Sequence, residues 1–174
     1  MAPVSLASSP AENVAWFAAR TRSRHEKTVA SQVQHGGIEA FLPTAPRWSR
    51  WKDRKKCIDW PLFPGYCFVH AAPEVLSKVR KCTGVVSIVS NVGLPAAIPD
   101  HEIEGVRRLV ASHLPGDPCP LIQEGSLVEV TSGPLRGVIG RLVRKGTQAR
   151  LIIAVGALGQ GISIRVDAAD VKPY

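Results

Sequence analysis

The sequence predicts two folded parts: an α+β N-terminal part of mixed strands and helices, and a small antiparallel all-β barrel behind it. Three observations carry this. Strand-like and helix-spaced apolar runs alternate through residues 14–113. Beyond residue 122 there are only short β-branched runs divided by glycine turns. Between them, "LPGDPCPLIQEG", residues 114–125, sets three prolines and two glycines where no regular element continues. The chain thus divides into a flexible tail at 1–13, an N-terminal domain at 14–113, a linker at 114–121 and a C-terminal domain at 122–174. At 174 residues and 45% hydrophobic, it has enough apolar content for packed cores.

The elements follow in order. "VAWFAAR", 14–20, opens with a strand, and Ser23 with Glu26 forms an S-x-x-E capping box that starts a helix. Gly36 and Gly37 supply the left-handed backbone that ends it. "IEAFLP" alternates as a strand does, and "YCFVH" is a run of β-formers just after a Pro-Gly turn. A second helix starts at Pro73 and carries Val75, Leu76 and Val79 inward. The third spans 100–113, with Glu102 and Glu104 near its start and Arg107, Arg108 and His113 toward its end, matching the helix dipole. Its Ile103, Val106 and Val110 share a face. "SLVEVT", "GVIGRLVR", "ARLIIAV" and "GISIRV" are the strands of the C-terminal part, and nothing in "RGVIGRLVR" opposes a strand, so no obligatory switch to helix is expected.

Several classes are set aside. "MAPVSLASSPAEN" lacks the basic start and apolar stretch of a secretory signal, and no run of about 18 apolar residues could span a membrane. A soluble, cytoplasmic monomer is expected. Cys57, Cys67, Cys82 and Cys119 show neither a CxxC pair nor regular spacing, which argues against a disulfide framework. Cys67 and His70 stand at a ligand-like spacing, but two ligands do not make a tetrahedral zinc site, so neither metal nor cofactor is expected. His25 beside Glu26 and His101 beside Glu102 are helix neighbours that do not face each other, and no enzyme is expected.

Charge is concentrated. Residues 20–56 hold ten Lys or Arg against three acidic residues, most of the chain's net charge of +8. A solvated face would explain such a run. Here Trp48 and Trp51 are interleaved with the cations of "RWSRWKDRKK", which together with a pI near 9.7 points to a polyanion such as nucleic acid. "WPLFPGYCFV", 60–69, adds two prolines, a glycine and four aromatics in ten positions, a rigid surface suited to a partner. Alternate residues such as Cys67 and Val69 would fill the core while their neighbours meet that partner.

The order of these stretches resembles the NusG family of transcription elongation factors. The likeness rests on "WFAARTRSRHEKTVA", "PLFPGYCFV", "TGVVSIV" followed by "PAAIPDHEIEGV", and "GSLVEVTSGPLRGVIGRL", and runs from about Val14 to Tyr174. It implies an α+β NusG N-terminal domain, an antiparallel sheet with helices, and a C-terminal all-β SH3-like KOW barrel. "RHEKTVASQ", "IEAFLP" and "RWSRWKDRKK" lean toward the specialised, RfaH-like paralogues and the antiterminators of polysaccharide operons, which suppress pausing or termination. The housekeeping factor acting with Rho, and a KOW-containing ribosome- or RNA-binding protein, are the alternatives.

By resemblance, Trp16, Leu62, Phe63, Pro64, Gly65, Tyr66 and Phe68 would dock on the clamp helices of the largest RNA polymerase subunit. Arg20, Arg22 and Arg24, with Trp48, Arg50, Trp51 and Lys52, would contact non-template DNA. On their own residue types, Trp48 and Trp51 could as well pack against Trp60. Ser77, Lys78 and Arg80 would make a second polymerase contact. In the KOW part, "AVGALGQG" matches the loop that meets a ribosomal small-subunit protein or Rho, and Leu158 stands where the family often has phenylalanine.

Overall fold

The computed structural model describes residues 13–174, so the tail assigned to 1–13 falls almost wholly outside the described residues. The N-terminal part runs β1 (Ala15–Thr21), α1 (Glu26–His35), β2 (Glu39–Phe41), β3 (Thr44–Trp51), β4 (Arg54–Pro61) and β5 (Tyr66–Ala71). A 3-10 turn at Pro73–Val75 then leads into α2 (Leu76–Arg80), followed by β6 (Val85–Ile88), β7 (Ser90–Asn91), β8 (Leu94–Pro95) and α3 (Asp100–Ser112). The C-terminal part is β9 (Gly116–Pro120), β10 (Ser126–Val130), β11 (Ile139–Lys145), β12 (Gln148–Val155), β13 (Gln160–Val166) and β14 (Val171–Pro173).

An antiparallel sheet in the order β2-β5-β1-β6 organises the first part. Side chains alternate across it. Phe17 opposite Val69 and Ala19 opposite Cys67 face α1 and α2, where they join Val29, Val33, Leu76 and Val79 in one buried cluster. Trp16, Ala18 and Phe68 face the other way and join Leu62, Phe63, Ile98, Ile103, Val106 and Leu109. β1 is therefore buried on both sides, which is why its apolar residues run almost without interruption.

Two expectations about helix ends are corrected. Ser23 and Glu26 do not form a capping box: His25 is the N-cap and makes no side-chain cap, and its Nδ1 meets the Ser23 carbonyl at 2.9 Å. Arg24 takes a left-handed φ of 64°, so the helix begins after a tight turn that leaves Ser23 outside it. At the other end of α1 only Gly37, at φ 78°, is left-handed, whereas Gly36 has φ −75°. In α3, Ile103 and Val106 are buried and half-buried Val110 packs on the same cluster, joined by Leu109; Gly105 is buried too, and His113, at φ 55°, caps the helix.

The second part is a six-stranded antiparallel sheet in the order β14-β10-β11-β12-β13-β9, with Val128, Val130, Leu151, Ile153, Ile162 and Ile164 buried. Its first strand comes from the proline-rich stretch: β9 pairs along β13, with Gly116 opposite Ile164 and Pro120 opposite Gln160. Pro118 and Pro120 are tolerated because β9 is an edge strand, where one side of the backbone needs no ladder partner. Ladder pairing does not join β9 to β14 among the described residues.

The two parts touch through α3. A Cβ added at Gly105 would lie 3.2 Å from Ile153 Cγ2 and 3.5 Å from Val138 Cγ1, so glycine lets the helix approach the C-terminal sheet closely. Around that contact Gly156 N–H donates to Glu102 Oε2 at 3.1 Å, and Arg108 Nη1 donates to the Arg136 carbonyl. One buried apolar cluster consequently runs from Trp16 through α3 to Ile164.

Candidate functional site

The turn Phe63-Pro64-Gly65-Tyr66 leads into β5, and its residues separate by exposure. Phe63 and Phe68 are buried, their rings edge-to-face at 5.7 Å, and Trp16 and Leu62 are buried with them. Tyr66 and Gly65 are half-buried and Pro64 is exposed. Five of the seven residues expected to dock, Trp16, Leu62, Phe63, Tyr66 and Phe68, are thus brought together on one side of the sheet, within or against the cluster that α3 closes, while Pro64 and Gly65 lie in the turn beside the start of α1. Gly65 is held on both sides: its N–H donates to Glu26 Oε1 at 2.8 Å and its carbonyl accepts from Thr21 N–H at 2.8 Å.

α3 is locked onto this face by a polar and aromatic cluster that the sequence did not announce. Trp16 stacks on His70 with ring centres 4.7 Å apart, and the Arg107 guanidinium lies 5.0 Å from the Trp16 ring and 5.1 Å from Phe41. Glu39 accepts from Arg107 Nη2 at 2.7 Å and meets His70 Nδ1 at 3.1 Å. The Arg107 hydrogen bond, opposed by partial burial and helped by His70, holds the Glu39 carboxyl below the usual carboxylate range. His70 lies on this face and Cys67 on the other, so alternation along β5 prevents the two from sharing an ion.

Beside the turn stands the hairpin β3–β4, which pairs with no other strand among the described residues. Trp48 and Arg50 share a face with Cys57 and Lys55, and Trp48 is 70% exposed. Trp60 lies on the opposite face, opposite Ala45, where Arg47 sits 5.4 Å from its ring. Trp48 therefore does not pack on Trp60. The side chain of Trp51 lies outside the described residues. Lys52, Arg20, Arg22 and Arg24 are all exposed. Arg24, Lys27, Trp60 and Pro64, together with the acidic Glu26 and Asp59, line a groove of about 630 Å³ between the start of α1 and the hairpin base.

Elsewhere, Ser77, Lys78 and Arg80 are exposed on α2, with Ser77 Oγ donating to the Glu74 carbonyl at 3.1 Å. Leu158 ends a 3-10 turn, Gly156–Leu158, and is half-buried against the shared cluster. Its neighbour Gly156 is the residue that binds Glu102, so α3 holds the loop in which Leu158 lies.

A family model described as "Transcription termination factor nusG" matches residues 14–107, more than half of the chain. The chain belongs to the NusG family. Its N-terminal NusG domain is the four-stranded sheet with α1, α2 and most of α3, and the family is one of transcription elongation factors. Among solved structures, "Domain interaction in Thermotoga maritima NusG" matches at 22% identity and a TM-score of 0.53, covering 92% of this chain and 97% of that one. The "MjSpt4:Spt5 complex conformation B" matches at 22% identity and a TM-score of 0.33, covering 91% and 95%. The first of these supports the NusG fold. No curated protein matches the chain. No helix among the described residues is long and apolar enough to cross a membrane.

Proposed function

We propose that this NusG-family chain is a specialised elongation factor that docks on the clamp helices of the largest RNA polymerase subunit and suppresses pausing or termination. The observation that carries this is the gathering of Trp16, Leu62, Phe63, Tyr66 and Phe68 behind a turn whose only exposed residue is Pro64. Rigid aromatics held by prolines lose little entropy on binding and make good anchors. Because Trp16, Phe63 and Phe68 are buried in the arrangement described, docking on them requires α3 and the C-terminal sheet to shift, and binding would select that opened state.

In this reading the hairpin and the arginines before α1 hold the non-template strand. Arg20, Arg22, Arg24, Arg50 and Lys52 would meet phosphates, which gives affinity without sequence choice, while exposed Trp48 would stack on an unpaired base. The groove between Arg24, Lys27 and Trp60 has the size and the aromatic wall to accept a second base. Ser77, Lys78 and Arg80 are the second polymerase contact. Residues 122–174 are the KOW domain, and the loop at Leu158 meets a ribosomal small-subunit protein or Rho once α3 releases Gly156.

The test is binding of the full chain to an isolated clamp-helix fragment, beside Tyr66→Ala and Pro64→Ala, with folding checked by circular dichroism. Tyr66→Ala should cost about 2 kcal/mol of binding while remaining folded. A wild-type chain that ignores the fragment yet binds RNA in a salt-dependent way would favour a ribosome- or RNA-binding module instead.

A further inference from the structure

We propose that Glu26 is the positioning residue of the docking turn: its carboxylate selects which way the Pro64–Gly65 peptide points. The turn is closed by Tyr66 N–H donating to the Phe63 carbonyl at 3.1 Å, and Gly65 at its third position has φ 83°. Those features make it a type II turn. Types I and II differ by a flip of the central peptide, here the one joining Pro64 to Gly65. Proline at the second position suits both, and glycine at the third adopts either backbone without a steric penalty. The residues of the turn permit both states and lean toward type II, since glycine at the third position is what that turn requires.

Glu26 decides it. In the observed state Gly65 N–H points at Oε1, 2.8 Å away. After a flip the Pro64 carbonyl oxygen would face the carboxylate instead, replacing a charge-assisted hydrogen bond by repulsion between two acceptors. The carboxylate belongs to a residue only 6% exposed, at the first position of α1, and it reaches across 39 residues of sequence to the turn. On the other side of Gly65, Thr21 N–H holds the carbonyl, so the residue is gripped at both of its polar groups. Phe63 and Tyr66 are the first and last residues of this turn, and their directions depend on it.

The role in binding rests on the docking reading above, and the experiment separates the two. Amide exchange and the chemical shift of Gly65 would be followed by NMR in the full chain, beside affinity for the clamp-helix fragment, in wild type, Glu26→Gln and Glu26→Ala. Glu26→Ala is expected to move the Gly65 resonance, to speed its exchange and to weaken fragment binding by about tenfold, while β5 amides stay protected. Glu26→Gln keeps an acceptor oxygen in place and should restore most of both. Should Glu26→Ala fail to fold, Glu26→Asp, whose carboxylate falls one methylene short, serves as the second variant. A Gly65 amide unchanged in the variant that lacks the acceptor overturns the proposal, as does full affinity with a released amide. A Glu26-dependent Gly65 amide in a wild-type chain that does not bind the fragment supports the clamp on the turn and removes the docking reading.

Discussion

Arg107 places its guanidinium 5.0 Å from the centre of the Trp16 ring, so the helix that joins the two parts of the chain is fastened to a residue expected to meet polymerase. With Phe41 at 5.1 Å and Glu39 at 2.7 Å, that single side chain makes two cation–π contacts and an ion pair. Arg107→Ala should destabilise the chain by about 1 kcal/mol, because such contacts are worth about that much at half-exposed sites. Urea unfolding with unchanged slope would measure it, and a change within a few tenths of wild type would show that α3 is held by apolar packing alone.

Gly105 sits where α3 meets Ile153 and Val138. Alanine there would gain helix propensity of about 1 kcal/mol, but its methyl must displace the Ile153 side chain by a few tenths of an ångström. Leucine cannot be accommodated without separating the helix from the sheet. Gly105→Leu should therefore speed amide exchange at Ile153 and Val155 relative to wild type while β1 and β5 keep their protection. Equal exchange in both proteins would place the contact elsewhere.

The same contact should depend on pH. Burial pushes the Glu102 carboxyl above its ordinary value of 4.5, partly offset by the Gly156 N–H. A raised carboxyl favours the packed state when protonated, so the contact is tightest below 4.5 and loosens as pH rises through the shifted value. Glu39 acts in the opposite sense: its lowered carboxyl stabilises above 4.5 and that contribution is lost as pH falls through its own value. On acidification from neutrality the Glu102 gain comes first and the Glu39 loss afterward. Unfolding followed from neutrality to well below pH 4.5 should show a rise and then a fall, and Glu102→Gln should remove the rise without removing the fall.

Cys67 and Cys57 should differ sharply toward an alkylating reagent. Burial, and secondarily the charge of Glu26, pushes the Cys67 thiol up to about 12 from an ordinary 9.0, whereas Cys57 stands exposed on the hairpin. At pH 8 in native buffer, mass spectrometry should find Cys57 labelled first and Cys67 only after unfolding. By the same linkage, folding should weaken as pH rises from 9.0 toward 12, since only the unfolded thiol ionises there.

On single-stranded DNA, the hairpin cations and Trp48 should separate by salt. Arg50→Ala or Lys55→Ala should lower the slope of log affinity against log salt by roughly 0.7, whereas Trp48→Ala should cost about 1–3 kcal/mol with the slope unchanged. A Trp48 variant that alters only the slope would contradict a stacking role.

What the sequence made legible was local. β1, β5, α3 and the glycine-divided strands beyond residue 126 announce themselves because their side-chain periods are written in consecutive residues. What stayed hidden depends on partners far along the chain. Glu26 looked like half of a capping box because its true acceptor role is toward Gly65, and nothing in a linear motif reports that. Arg107 looked like a helix-dipole residue, and its seat between Trp16 and Phe41 follows only from the sheet register. The prolines at 118 and 120 argued for a loop, yet an edge strand accepts them. The aromatic cluster was readable as a set, but its cover was not, since covering is a property of how distant segments stack.

The pairing of β9 along β13 also fixes the mechanics of any rearrangement. Between the end of α3 at Ser112 and the start of β9 at Gly116 only three residues remain, so the free span is roughly 10 Å. So short a span acts as a pivot, and the C-terminal sheet can swing but not drift. Released from α3, it would stay at an effective concentration far above that of any free partner, and reclosure would be a fast intramolecular event. On the proposed docking, a competitor for either surface would act during brief excursions, and the lifetime of the swung-out form, as much as intrinsic affinity, would set engagement.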